Sequence, residues 1–531
     1  MIKTGSASTM RATDRHHIGS ASRGGGGDMA AGTGEGVQTG TIETDIPARL
    51  DRLPWSRFHW RVIVGLGTVW ILDGLEVTVV GSISGRLSEK GAGVGISTAD
   101  VSGLAASLYV AGACVGALLF GQLTDRFGRK RLFMLTLGMY LFATTMTALS
   151  FSPLWFFVFR FLTGMGIGGE YSAINSAIDE LIPAKHRGHA DISINGSYWG
   201  GAIGGALLAV LALNKSIFAL DLGWRLCFGL GAVLGLGVLL IRRNVPESPR
   251  WLFIHGREAD AEEVVSAIER EVREQTGEEL PEPEESITVR QRRTIPLALI
   301  VRSVITLYPR RTVLGLGLFI GQAFLYNSLL FSLGYLMSTF FGISSGNVPY
   351  YIAVFAVGNL LGPLTLARLF DTVGRKPMIA GTYILSGVLL VITAFLFKSN
   401  TFSAAGFVAA LMVVFFFASA GASAAYLTVS EIFPLETRAL CIAVFYAVGT
   451  GAGGIAGPLL FAKLIESGKT SHVFVGFMIG AVTMVLGGIG ELVFGVKAER
   501  ASLESIAQPL TAVDAEGTVG GAGGAPAPSA A

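Results

Sequence analysis

Residues Gly121 to Lys130 read GQLTDRFGRK, and a degraded copy, ARLFDTVGRK, recurs at Ala367 to Lys376. Each copy places an acid, a glycine and an Arg–Lys pair in a short loop between two apolar stretches. One basic run would mark a solvated face and nothing more. Two related runs at equivalent places in the halves of an apolar chain mark an internal duplication. That is the sequence pattern of a two-bundle transporter.

The stretches around these loops are membrane-length. With 51% hydrophobic and 15% charged residues, the 531-residue chain is too apolar for a soluble protein of this size; soluble domains carry roughly 25% charged residues. Twelve apolar segments, each near the ~20 residues needed to cross ~30 Å of hydrocarbon, are expected at 60–82, 103–123, 132–151, 154–178, 190–213, 224–241, 312–340, 348–369, 377–397, 402–429, 439–462 and 472–494. The predicted fold is therefore an all-α integral membrane protein, with twelve transmembrane helices in two six-helix bundles, 56–242 and 312–495. A charged, partly helical connector, 243–311, joins them. The glycine- and serine-rich tail 1–55 and the low-complexity tail 496–531 are expected to be disordered. Cys114, Cys227 and Cys441 are scattered in apolar segments, with no CxxC or metal spacing. They read as small core residues, and neither metal nor cofactor is expected.

Orientation follows from the cations in short loops. Arg126, Arg129, Lys130, Arg131, Lys185, Arg187, Arg368, Arg375, Lys376 and Arg438 fall in loops of one side. The other side holds fewer: Arg86, Lys90, Lys215, Lys398, Lys463 and Lys469. The sequence thus predicts a multi-pass protein of the cell membrane with both termini cytoplasmic.

The loop GQLTDRFGRK resembles the signature of the major facilitator superfamily. PESPRWL (Pro246 to Leu252), following the sixth segment, and RFLTGMGIGGE (Arg160 to Glu170), in the fourth, are similar to the sugar-porter and organic-ion branches. ELIPAKHRG (Glu180 to Gly188) and SEIFPLETR (Ser430 to Arg438) resemble their paired acid–proline–arginine ends of helices four and ten. The resemblance spans roughly residues 56 to 495.

These loop motifs have a mechanical reading. Asp125 can face a helix N-terminus or an arginine, Gly128 permits the turn, and Arg126 and Arg129 can form charge-assisted bonds to Glu180, Glu247 or Glu431. The resemblance implies that such networks lock the cytoplasmic ends in the outward-facing state and break as the halves rock. Their further members would be Arg187, Arg250, Asp371, Arg375 and Arg438.

Ionisable residues within the hydrocarbon are costly and default to function. The first segment reads WILDGLEVTVVG, with Asp73 and Glu76 three apart and so on one helix face. Glu76 is the leading expectation for the proton-carrying acid, with Asp73 beside it. Aromatic-acid proton symporters have a D-G-aromatic-D pattern here, against Leu75 and Glu76 in the last two places of this chain. Sugar porters have G-Y-D, which Gly74, Leu75 and Glu76 imitate. Arg160, inside FFVFRFLTGMG, matches the fourth-helix arginine that pairs with that acid in proton-coupled sugar porters. A contact that alternately desolvates and pairs the acid would load and release a proton.

Candidate solute ligands are Asn195, Tyr198 and Trp199 in helix five, Gln322, Tyr326 and Asn327 in helix seven and Asn359 in helix eight. Tyr171, Asn175 and Asp179 share one face of helix four. The Gln322-to-Asn327 spacing matches substrate residues of sugar porters, although Gly321 replaces the first of their paired glutamines. Two departures shape the class. Glycine stands where antiporters have the proline of GPxxGG, in Gly200 to Gly205, which argues against drug efflux. Tyr426 stands where sugar porters have tryptophan, and Ala422 and Ser423 replace their GP, which argues against a strict hexose carrier.

The C-terminal helices contain no Lys, Arg or His well inside the membrane, so a neutral sugar- or polyol-like solute is slightly favoured over a dianion. An organic- or aromatic-acid proton symporter, a passive uniporter and a non-transporting sensor are the alternatives. No HExxH, GxSxG or cofactor motif indicates an enzyme. The expected partners are a small solute, protons and the lipid bilayer, without nucleic acid, and the chain is expected to act as a monomer.

Overall fold

A computed structural model describes residues 40–242, 247–283, 286–291, 297–433, 438–499, 501 and 503–507, all within one compact unit, 37–531. The chain enters through β1 (Gly40–Thr44) and α1 (Ile46–Asp51). The first half then runs through α2 (Arg57–Leu87), α3 (Thr98–Asp100), α4 (Ala106–Phe127), α5 (Arg129–Ala148), α6 (Pro153–Leu181), α7 (Arg187–Gly196), α8 (Tyr198–Ala212) and α9 (Gly223–Arg242). The connector holds α10 (Pro249–Ile254), α11 (Glu258–Thr276), β2 (Ile287–Gln291) and α12 (Leu297–Leu307). The second half comprises α13 (Pro309–Phe341), α14 (Val348–Thr372), α15 (Arg375–Lys398), α16 (Ala404–Ile432), α17 (Arg438–Thr450), α18 (Ala456–Glu466) and α19 (Thr470–Phe494), followed by α20 (Leu503–Ile506). Short π-helical turns, Val101–Ala105 and Gly451–Ile455, join α3 to α4 and α17 to α18.

Local sequence sets the helix ends. Ser152 and Ser403 accept bonds from Trp155 N–H and Gly406 N–H, capping α6 and α16. In the two copies of the repeat, Gly128 and Gly374 adopt φ of +88° and +117°, which turns the chain sharply into α5 and α15. Among the described residues, nine helical segments are long and apolar enough to span a bilayer by themselves. Of the rest, α5 opens on Arg129, Lys130 and Arg131, α6 carries Arg160 and Glu170, and the α7–α8 segment is interrupted at Ser197. Large apolar side chains such as Leu135, Phe142, Val233, Leu240 and Val493 are exposed, as a surface solvated by lipid requires.

Two expected boundaries differ. Residues 40–55, assigned to the unstructured tail, contain β1, which pairs antiparallel with β2 of the connector, and α1. Ile46, Leu50 and Leu53 are buried, which supplies the apolar anchor that composition alone does not reveal. Beyond α19, within the expected C-terminal tail, Ala498, Leu503 and Ala507 are also buried. The tail residues 1–39 and 508–531 lie outside the described residues.

Candidate functional site

The repeated loops lie at one end of the bundles, here the basic end. There each half closes an arginine on a glutamate at matching positions. Arg129, opening α5, makes a two-pronged pair with Glu180 at the end of α6. Arg375, opening α15, donates to Glu431 near the end of α16 at 3.0 and 3.1 Å. Glu247 accepts from the N–H groups of Arg129 and Lys130 at 3.0 and 3.2 Å, so its charge caps the positive end of α5. Asp371 bonds Arg375 at 2.7 Å, and its other oxygen accepts from the His189 N–H of α7 at 2.8 Å, across the seam between the halves. Gly188 makes that approach possible, because a Cβ there would collide with the Arg375 guanidinium and the Asp371 carboxylate.

Arg187 and Arg250 are fully buried and converge on Asp51 of α1, at 3.2 and 3.7 Å. Arg438 is fully buried and its Nε donates to the Ser430 carbonyl. Arg126 is exposed, its guanidinium over the neighbouring Phe127 ring. The side chains of Asp125, Asn175 and Asp179 lie outside the described residues. At the opposite end, Glu89 of the first half accepts from Ser345 of the second at 2.6 Å and pairs with Lys215 at 2.8 Å.

Between these two sets of cross-half contacts lies a cavity of about 130 Å³. Of the expected solute ligands, it brings together Asn195, Tyr198, Trp199, Gln322, Tyr326 and Asn327. Asn359 is not on its wall; it stands behind it and accepts from the Tyr326 hydroxyl at 3.2 Å. Nine aromatic residues stand on the wall: Trp70, Tyr109, Tyr171, Tyr198, Trp199, Tyr326, Phe331, Tyr426 and Tyr446. Among the described lining residues Asp73 is the one carboxylate, with no lysine or arginine beside it. Trp70 Nε1 and Thr450 Oγ1 are buried on this wall without a protein hydrogen-bond partner. The α7–α8 interruption at Ser197, between Asn195 and Tyr198, and the π-helical turn that follows Thr450 both flank the cavity.

Asp73, Glu76 and Arg160 are all fully buried, but the two acids have different partners. Glu76 is paired with Arg160 and accepts from Thr144 at 3.3 Å. Asp73 accepts from the Tyr109 hydroxyl at 2.6 Å and from the Tyr171 hydroxyl. Tyr109 links the two sites, because its ring face carries the Arg160 guanidinium 4.6 Å from the centroid. The cavity-facing acid is therefore Asp73, while Glu76 is held in an ion pair behind it.

Sequence reasoning singled out neither Asp51 and Glu89 nor the aromatic residues Trp70, Tyr109 and Tyr446. Trp70 stands three residues before Asp73, on the same helix face, and that spacing is a usable signal. Tyr446 and Thr450 are four apart in the same way.

Nine candidate spans among the described residues, with the remaining helices of the two halves arranged around a central cavity, define a transporter of the major facilitator fold, not an enzyme. The family described as Sugar (and other) transporter matches residues 60–508, and the chain belongs to it. It is 28% identical over 461 residues to the niacin transporter NiaP of Acinetobacter baylyi, covering 83% of this chain and 97% of that one. In structure it is similar to the proton:xylose symporter XylE bound to 6-bromo-6-deoxy-D-glucose, with a TM-score of 0.68 at 19% identity over 85% of this chain and 98% of that one. The likeness to inward-open XylE from E. coli is lower, at 0.58, with 18% identity over 84% and 99%.

Proposed function

We propose that this chain imports a small, flat-ringed monocarboxylate together with a proton, by alternating access across the cell membrane, as a monomer with both termini cytoplasmic. The observation that carries this reading is the cavity: about 130 Å³, rich in aromatic rings, with Asp73 as the one carboxylate among its described lining residues. That volume is well below the ~300–1,000 Å³ of drug-sized sites. Stacked rings suit a flat solute, and Trp70 Nε1, Gln322 and Asn327 offer donors to its carboxylate. Niacin, carried by the relative NiaP, is a solute of that shape.

Charge then supplies the coupling. A solute anion beside an ionised Asp73 would meet a like charge at low dielectric. A proton on Asp73 removes that repulsion, so proton and anion each favour the other's binding. With both aboard, the halves rock, the basic end opens and both leave. Glu76 and Arg160 stay paired, which keeps a buried cation neutralised throughout.

A monosaccharide is the second reading. It is favoured by Gln322 and Asn327, which sit on the wall at the positions expected for sugar ligands. The two readings differ in electrical behaviour. One proton with a monoanion moves no net charge, whereas one proton with a sugar gains ~2.3 kcal/mol per 100 mV. Uptake of nicotinate and of D-xylose into proteoliposomes, with a pH gradient or a potassium-diffusion potential imposed separately and protein-free liposomes as blank, tests both. Nicotinate accumulation driven by the pH gradient and indifferent to potential is expected. Accumulation of D-xylose under either gradient would replace the first reading with the second, and accumulation of neither would reject both.

A further inference from the structure

Tyr171 belongs to three structures at once. Its hydroxyl donates to Asp73 Oδ2, and its ring lies flat on Trp70, with centroids 4.5 Å apart and planes 5° from parallel. The same ring packs edge-on against Tyr446 and Tyr426 of the second half, at 5.2 and 6.4 Å. It also faces the cavity. Tyr109, the other donor to Asp73, is fixed by comparison, because its ring is held under Arg160.

We propose that the Tyr171 hydroxyl is a positioning group that switches between Asp73 and the solute. It donates to the carboxylate while Asp73 is charged, and to the solute once Asp73 carries the transported proton. The inference rests on the proton-coupled reading above and deepens it.

The hydrogen-bond inventory drives the switch. An ionised carboxylate only accepts, so both tyrosines can donate to it. A proton arriving from water on Oδ2 makes that oxygen a donor. Oδ2–H then points at the Tyr171 oxygen, and the Tyr171 O–H, keeping its own proton, must find a new acceptor. The cavity is where it can turn. Oδ1 remains an acceptor, so Tyr109 keeps its bond. Loss of the proton reverses each step.

Other groups face Asp73: Glu76 from its own helix, Tyr140 from α5, Arg160 from α6, Tyr198 from α8, Tyr426 from α16 and Tyr446 from α17. Glu76 and Arg160 are bonded to each other. The remaining tyrosines make no hydrogen bond to Asp73 among the described contacts. Tyr171 is thus the donor that a proton on Oδ2 displaces.

The test begins without solute. Trp70 stacks on Tyr171, so its emission in the full-length protein in nanodiscs should change with pH, with Trp70→Phe as the blank. The change should vanish in Asp73→Asn and in Tyr171→Phe, the latter keeping the stacked ring. In a second measurement, nicotinate affinity should weaken with rising pH by up to about tenfold per unit in the wild type, the limit for one linked proton. In Tyr171→Phe the slope should be shallower than in the wild type but not flat, because an ionised Asp73 still repels the anion. Tyr109→Phe should keep the wild-type slope. A wild type whose Trp70 emission ignores pH overturns the relay. A Trp70 response that survives in Tyr171→Phe but is lost in Asp73→Asn, or a Tyr171→Phe affinity slope equal to the wild type's, overturns the relay alone and leaves Asp73 coupling standing. A response that survives in Asp73→Asn overturns the coupling reading and the relay together.

Discussion

Asp371, at the end of α14, accepts a hydrogen bond at 2.8 Å from the backbone N–H of His189, in the first turn of α7. The acid belongs to one half of the protein and the helix end to the other. A carboxylate at a helix N-terminus meets both an unsatisfied N–H and the positive end of the dipole. At the opposite end Glu89 and Ser345 form the matching cross-half contact. Among the described contacts, an acidic latch thus joins the halves at each end, with the cavity between them.

Weakening one latch should tilt the protein toward opening at that end. Asp371→Asn removes the charge, and Gly188→Ala places a Cβ where the Arg375 and Asp371 side chains now lie. A hydrogen bond to a charged group contributes about 1.5–3 kcal/mol, so the open population should rise about tenfold or more. The check is labelling of Asn195→Cys, on the cavity wall, by a membrane-impermeant thiol reagent added from the basic side. Both latch variants should label faster than the parent from that side and slower from the other. Equal rates from both sides would show that the latch does not set the balance.

The Glu89 latch should be blind to pH in the physiological range. Burial pushes the Glu89 carboxyl up, but Lys215, Ser345 and Arg86 together outweigh it and hold the group below its ordinary value of 4.5. A lowered folded value means that the latch is fully formed above 4.5 and is lost only as pH falls through the lower value. Between pH 5 and 8, Glu89→Gln should thus alter transport by a factor that does not vary with pH. A ratio of mutant to wild-type uptake that changes across that window would make Glu89 a titrating group and contradict the assignment.

The legible part of this molecule is the part where charge is rare. Asp73, Glu76 and Arg160 stand out because hydrocarbon punishes charge, and the loop arginines because they recur at matching places in two halves. The break at Ser197 was hidden, since the glycine-rich run from Gly200 to Gly205 scans as one apolar segment with the residues before it. The aromatic wall was hidden for a different reason. Trp70, Tyr109, Tyr426 and Tyr446 come from four helices, and an aromatic residue in an apolar helix carries no sign of whether it faces lipid or a cavity. The anchoring of residues 46–53 was masked by the composition around them, because three buried apolar side chains disappear among glycines and threonines.

The α13 amides should separate from Asn359. Gln322 and Asn327 line the cavity, whereas Asn359 reaches it only through the Tyr326 hydroxyl. Gln322→Ala and Asn327→Ala should each weaken solute binding by about 1–3 kcal/mol, the scale of a lost buried hydrogen bond. Asn359→Ala should cost less, since the ring of Tyr326 remains in place. Nicotinate and D-xylose titrations of the purified protein, followed by calorimetry, give the order. Asn359→Ala weakening binding more than both amide variants would move the solute toward α14.

The two first-segment acids should part company when mutated. Glu76 neutralises a fully buried arginine, so Glu76→Gln leaves Arg160 without its counter-charge. Removing one partner of a buried pair costs about 3–5 kcal/mol, whereas replacing both by uncharged residues of similar size is often close to neutral. Glu76→Gln and Arg160→Met should therefore each lower the unfolding temperature markedly, and the double variant should recover most of the loss. Asp73 has no cation bonded to it; its partners are two tyrosine hydroxyls on separate oxygens, and in an asparagine one hydroxyl can donate to the amide oxygen while the other accepts from the amide NH2. Asp73→Asn should thus fold nearly as well as the wild type, yet it cannot bind and release a proton. It should exchange solute across the membrane at close to the normal rate while losing accumulation against a gradient. Counterflow and pH-driven uptake in the same proteoliposomes, beside thermal unfolding of the four variants, decide the matter. Accumulation that persists in Asp73→Asn, but fails in a Glu76→Gln protein of normal stability, would move the proton to Glu76.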